Sequence, residues 1–453
     1  MFARDFDGHP GKKSYYEVLQ KFTHVFELHY MEERYAYCRL DKHGDVEDVI
    51  RIIEIPGKGE EFGTNIVAFN RDLLDEYLVL TDSVIVRTFD FTRYQPGRFS
   101  GWATHDRRFE SEGDMAYNHH IEPGYASYLR GIQLVRTKET RDAIVKRFDY
   151  TAAKEGRQYA SFIAQDWRNN VIREISCAPG ATANYFTKSD LPFELSPAFF
   201  RPEVLLKYKA DSEKYSLAGR SISCRGAWSL QTYDINAAGQ VHTYLVYLRD
   251  LPYEEQLYWK SYNEKPKAPI SKRAFTADFE GNWHLEYDPL NSLKQVIGDL
   301  NRDQVPWWTL RSEKLLGKLH YPVTMSADEW ATEILNLDQL VVEGLETKWL
   351  RKKAQSLGRT LDISFASLRL VEECLLASGF AEDNARNAVA SLREAHDLRS
   401  KVKGHASGKD GSAIKKQILK DHGSYKGHFQ ALCQRCDESM RAIAEALKGM
   451  SHT

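Results

Sequence analysis

From Phe22 to about Leu251, apolar residues come in short runs rich in Val, Ile, Tyr, Phe and Thr, several alternating with polar residues. Beyond Tyr262 they recur every three or four positions. Alternation marks a half-buried strand, and the longer spacing marks one face of a helix. Strands are therefore expected over Phe22–Tyr30, Arg34–Leu40, Asp48–Ile55, Ser83–Phe91, Gly131–Thr137, Tyr159–Trp167, Val171–Ser176, Ser221–Asp234 and Val241–Leu248. Lys42-His43-Gly44-Asp45, Arg168-Asn169-Asn170 and Asn236-Ala237-Ala238-Gly239 carry hairpin turn residues, so the strands should pair mainly antiparallel. Short helices are expected over Arg71–Tyr77 and Glu139–Phe148.

Prolines and lysines interrupt all periodicity across Tyr262–Lys272 and mark a boundary. Short helices should follow at Asp288–Asp303 and Arg311–Leu319, on either side of Pro306-Trp307-Trp308, whose indoles suit an interdomain plug. Longer helices are expected over Ala327–Gln355 with a break near Leu337, and over Asp362–Ser378, Glu382–Lys403, Ser412–Lys420 and Ser424–Lys448. Ser424 is a good N-cap for the last of these, and Gly449 a stop. The expected fold is α+β and multidomain: a β-rich sensor or regulatory region over 1–262, a connecting helical segment over 263–325, and an all-α bundle over 326–453.

The chain has 453 residues, too many for one ordinary core. Its 42% hydrophobic and 28% charged content with a net charge of −2 excludes global disorder and a wholly basic nucleic-acid coat, so any basic surface is local. The opening residues MFARDFDGHPGKK lack the apolar core of a secretory signal, and no run of apolar residues is long enough to span a membrane, so a cytoplasmic location is expected.

Six scattered cysteines do not form a disulfide framework and are expected as thiols. Cys433 and Cys436, with His422 and His428 upstream, raise a zinc reading. However, Phe429, Leu432, Cys433, Cys436, Met440, Ile443 and Leu447 form one continuous helical stripe, which favours a core face. The stretch Gly101–Tyr125 gathers His105, Asp106, Glu110, Glu112, Asp114, His119 and His120 in what reads as a long loop; an enzyme site there is a further alternative. No phosphate-binding glycine loop, HExxH or GxSxG occurs in this half.

The densest chemistry lies in Ala381–Gly408. Leu392, Ala395, Leu398 and Val402 share one side of a helix, while His396, Arg399 and Lys403 fall within about 60° of one another along its flank. Gly404 is placed to stop the helix and present His405. Between Arg393 and His428 nine Lys or Arg face four Asp or Glu, a local charge of 9 − 4 = +5 with four histidines besides. A basic, histidine-bearing seam suits a phosphodiester.

Arg399 and His405, spaced Arg-x5-His with Ser400 after the arginine, resemble the signature of the HEPN superfamily. Similar spacings occur at Arg4/His9 and Arg98/His105, but only the third ends an amphipathic helix within a helical segment. The resemblance implies a metal-independent endoribonuclease, as in bacterial anti-phage (abortive infection) or toxin systems, with no cofactor and with the site formed across a dimer or higher homo-oligomer. RNA carries its own nucleophile in the 2′-hydroxyl, so the protein need only move protons and brace the phosphate. His405 would move the proton, and Arg399 would hold two phosphate oxygens. His396 would be a second acid/base, Glu394 or Asp397 would fix a tautomer, and Lys401, Lys403 and Lys409 would track the RNA backbone. A phage-derived protein or nucleic acid would be the trigger. The alternative is a non-catalytic scaffold: a β-rich recognition region with a dimerising bundle.

Overall fold

The computed structural model describes residues 2–4, 15–55, 64–94, 108–122, 126–148, 157–282, 287–404 and 409–448. The chain divides into two compact units. One comprises Met1–Asp41 with Asp45–Gln158, and the other Lys42–Gly44 with Tyr159–Thr453.

In the first unit an antiparallel meander runs His29–Met31, Ala36–Leu40, Val46–Ile55 and Thr64–Phe69. Its buried face meets Phe22, Phe26 and Leu73. Phe22 and Phe26 sit at a helical spacing with rings 4.9 Å apart, and Gln20–Val25 is a helix where the sequence suggested a strand. Asn70 caps the helix Arg71–Leu80 by accepting from the amides of Asp72 and Leu73. A second antiparallel sheet has the order Ile85–Tyr94, Ala126–Val135, Met115–Glu122, Arg108–Glu112. The described part of the expected Gly101–Tyr125 loop is thus a hairpin. Its turn is Gly113-Asp114, with Gly113 at φ 55°, and Asp114 is held by Arg136 at 2.8 Å. His119 and His120 lie on a strand of it, while His105 and Asp106 lie outside the described residues.

The second unit begins with an antiparallel sheet ordered Val171–Ser176, Ser161–Asp166, Pro197–Phe200, Val241–Tyr244, Asp234–Ile235. Asn263–Glu264, within the proline- and lysine-rich stretch, pairs with Pro197–Phe200 in the same sheet. The expected long strand Ser221–Asp234 is three pieces, Ile222–Cys224, Trp228–Leu230 and Asp234–Ile235. Arg225 and Gly226, both at positive φ (44° and 80°), turn the chain between the first two. The end of the expected Val241–Leu248 strand is a helix, Leu245–Asp250.

The C-terminal region is helical, with Pro289–Arg302, Ala327–Val341, Thr347–Ser356, Ser367–Ala377, Glu382–Ala388, Ala390–Arg399, Lys409–His422 and Tyr425–Lys448 as its principal helices. Asp288 and Ser326 cap the first two of these with their side-chain oxygens. The break expected near Leu337 falls instead at 342–346, between the helices Ala327–Val341 and Thr347–Ser356. Trp307 and Trp308, expected as a plug between domains, are buried inside the helical core with Trp330. Glu346 donates its amide to the Trp307 carbonyl and Thr309 donates to Gly344, so the 342–346 segment lies against the Trp pair. A β-carbon at Gly344 would come within 2.4 Å of Trp308 Nε1 and 2.8 Å of the Thr309 carbonyl oxygen. Because backbone and a buried indole cannot both retreat, Gly344→Ala should lower stability by about 1–3 kcal/mol. An unchanged urea midpoint for that variant would show that this packing is looser than described.

Candidate functional site

The helix Ala390–Arg399 buries Ser391, Leu392 and Ala395 and turns its other flank toward the buried face of Ala327–Val341. Ile334, Leu337, Leu340 and Val341 make that face apolar, yet Asp338 sits among them with 0% exposure. A buried carboxylate costs stability unless its oxygens are satisfied. Asp338 Oδ2 accepts from Arg399 Nη1 at 2.9 Å, and Oδ1 lies 3.0 Å from His396 Nδ1. Arg399 also meets Glu343 Oε1 at 3.0 Å. One acidic residue, distant in sequence, thus gathers two members of the basic seam.

The chemistry of this cluster depends on which atom can donate. A carboxylate only accepts, so His396 holds a proton on Nδ1, and in the neutral ring the lone pair then lies on Nε2. The His396 side chain is 45% exposed, so Nε2 can meet a substrate proton while the other ring nitrogen is held. The Arg399 side chain is 34% exposed although two carboxylates fix its guanidinium. Directly after Arg399 the chain leaves the α-helix for a π-helical turn, Ser400–Gly404, where the sequence suggested a continuous helix stopped by glycine. Such turns interrupt regular hydrogen bonding and recur at functional sites.

The remaining seam residues are placed differently. Glu394 points away from Asp338, and both its oxygens accept from Arg435 Nη2, at 2.8 and 2.6 Å. It stands 3.9 Å from His428 Nε2 and therefore does not fix the His396 tautomer; Asp338 does. Asp397 is exposed. Arg393 is paired with Glu372 at 2.6 Å, so part of the local positive charge is met by acids from other helices. Lys401 is exposed on the π-helical turn. Lys403 and Lys409 lie at the two ends of the 405–408 gap, with side chains outside the described residues, and His405 lies outside them altogether. Sequence reasoning missed Asp338 and Glu343. The available signal was an acid within the buried stripe of Ala327–Val341, a position that demands a cationic or donor partner.

Cys433 and Cys436 are fully buried in the helical core beside Phe429 and Met440. Burial raises both thiols, Cys436 to about 12, in keeping with their place in the apolar core. His428 accepts from Trp330 Nε1 at 3.2 Å, and its pKa is lowered to about 4 by burial and then by the charges of His422 and Arg435. Among the described residues no group of three or more His, Cys, Asp or Glu is placed to hold a metal ion, and no helix is long and apolar enough to cross a membrane. No protein-family model matches the chain, and no curated protein and no solved structure matches it.

Proposed function

We propose that the protein is a metal-independent endoribonuclease of the HEPN type, cytoplasmic and homo-oligomeric, acting in bacterial defence or as a toxin. A single observation carries this reading: buried Asp338 holds His396 and Arg399 side by side, each partly open to solvent, at the end of a helix that breaks into a π-helical turn. In the proposed reaction His396 Nε2, or the His405 imidazole, takes the proton of a ribose 2′-hydroxyl. The 2′-oxygen forms a bond to phosphorus and the bond to the 5′-oxygen breaks. The second imidazole returns a proton to that leaving oxygen. Arg399 donates to the non-bridging oxygens as their charge grows. The products are a 2′,3′-cyclic phosphate and a 5′-hydroxyl. Lys401, exposed beside the turn, suits the RNA backbone.

A second reading draws on the same contacts. Arg399 faces two carboxylates, Asp338 and Glu343, and such neutralisation suits a structural clamp in a non-catalytic scaffold. Purified full-length protein incubated with total RNA in excess EDTA separates them. The ribonuclease reading expects fragments bearing 2′,3′-cyclic phosphate ends. Intact RNA under every condition tried leaves the scaffold, and cleavage that EDTA abolishes points to a metal-dependent site instead.

A further inference from the structure

The second unit contains a cavity of about 350 Å³ between its β-sheet portion and its helices. None of its lining residues belongs to the Asp338 cluster, so a ligand held there would owe nothing to the ribonuclease reading. Leu217, Ile235, Leu290 and Val323 give it apolar walls, and Lys294 and Lys426 stand among its lining residues.

The charges around the cavity are unevenly matched. Asp234 is buried and fully engaged: Arg273 grips both its oxygens at 2.8 and 2.7 Å, and the Ser271 hydroxyl adds 2.8 Å. Asp288 is equally occupied, capping the helix Pro289–Arg302 through the Leu290 and Asn291 amides and accepting from the Tyr321 hydroxyl at 2.7 Å. His320 also lines the cavity; burial, reinforced by the Lys294 and Lys209 charges, lowers its pKa to about 3, so it adds no charge near neutrality. Arg273 offsets Asp234, and Lys209 pairs at 2.8 Å with Glu333, the acid whose charge acts most strongly on Lys294; Asp288 acts on both lysines without touching either. Among the described residues neither Lys294 nor Lys426 has a hydrogen bond or an ion pair. Burial lowers both their pKa values, which fits ammonium groups withdrawn from water without a counter-charge in contact.

Two lysines without a contacting anion, lining one partly apolar cavity of small-molecule size, define what would fill it. We propose that the cavity binds a small organic phosphate monoester, its phosphate bridging Lys294 and Lys426 and its carbon skeleton lying against Leu217, Ile235 and Val323. A phosphate monoester carries nearly two negative charges above about pH 6 and offers three acceptor oxygens, which matches two lysines better than a single carboxylate does. The flexible point charges of lysine suit a phosphate approached from two sides.

Titration calorimetry of the full-length protein with ribose 5-phosphate, inorganic phosphate and ribose tests this. Ribose 5-phosphate should bind and ribose should not; inorganic phosphate should compete with the ester. Lys294→Met and Lys426→Met keep the aliphatic stem while removing the charge, and each should weaken ester binding at least tenfold. Both variants should unfold at a urea concentration no lower than wild type, since each loses an uncompensated ammonium, and that measurement confirms they fold. Absence of binding by ribose 5-phosphate to wild type, binding of free phosphate alone, or unaltered ester affinity in both variants would each overturn the proposal.

Discussion

Asp338→Asn is expected to slow RNA cleavage by roughly 10²- to 10⁴-fold while the helical region stays folded. The carboxylate accepts from both neighbours at once, at 3.0 Å from His396 Nδ1 and 2.9 Å from Arg399 Nη1. An amide of the same shape has one acceptor and one donor end. If its oxygen serves Arg399, its NH₂ faces His396 Nδ1 and favours the tautomer whose Nε2 is already protonated, which removes the base. If the oxygen serves His396, the NH₂ confronts a guanidinium. Either arrangement costs the reaction more than it costs the fold. Asp338→Ala should add a loss of stability on the order of 1–3 kcal/mol, below the usual cost of breaking a buried pair, because Arg399 keeps Glu343 and partial solvent. Single-turnover cleavage read beside urea unfolding separates the two effects. An Asp338→Asn enzyme as fast as wild type would remove Asp338 from the mechanism.

Acid should destabilise the second unit as the pH falls from about 6.5 toward 4. His242 and His428 are buried, and both have pKa values lowered from 6.5 to about 4, with burial the first cause in each. The Ser271 amide donates to His242 Nε2, and Trp330 donates to His428 Nδ1, so each ring uses as an acceptor the nitrogen that protonation would claim. Between the two pKa values the unfolded chain binds protons that the folded chain refuses. Stability is therefore level above about pH 6.5 and falls as pH drops toward 4, by on the order of 2–3 kcal/mol for each ring across that window. Asp234 and Glu329, whose pKa values are lowered by Arg273 and Lys209 against the opposing effect of burial, lose their contribution only at lower pH, below the usual carboxylate range. Urea midpoints measured from pH 7 to 4.5 should decline, and His428→Gln should make the decline shallower, with His242 and His320, whose pKa values burial also lowers, still contributing. A flat profile over that interval would show that these rings are not withdrawn from water as described.

Local chemistry was legible where one element sufficed to decide it. Asp288 begins a helix because its side chain caps the next amides, and Val171–Ser176 forms a hairpin strand because Asn170 accepts positive φ before it. The Cys433/Cys436 stripe reads as core because its neighbours at helical spacing are Phe429, Met440 and Ile443. Failures came where a short feature or a distant partner decided. The turn at Arg225-Gly226 divides what reads as one long strand, and Gly113-Asp114 folds what reads as a loop. Pro197–Phe200 opens with a proline and still forms an interior strand of its sheet. At the candidate site, the helical flank of His396 and Arg399 was visible from spacing. Its organising carboxylate was not, because Asp338 lies 58 residues before His396 and only packing brings them together.

The most direct test of the Asp338-centred site is the rate of RNA cleavage, in EDTA, by wild type and by Arg399→Ala and His396→Ala variants that urea unfolding shows to be fully folded under the assay conditions. Wild type should cleave without metal, Arg399→Ala should show no cleavage above background, and His396→Ala should show a deep loss. Cleavage by both variants at the wild-type rate, or RNA left intact by wild type itself, would contradict a catalytic role for this cluster.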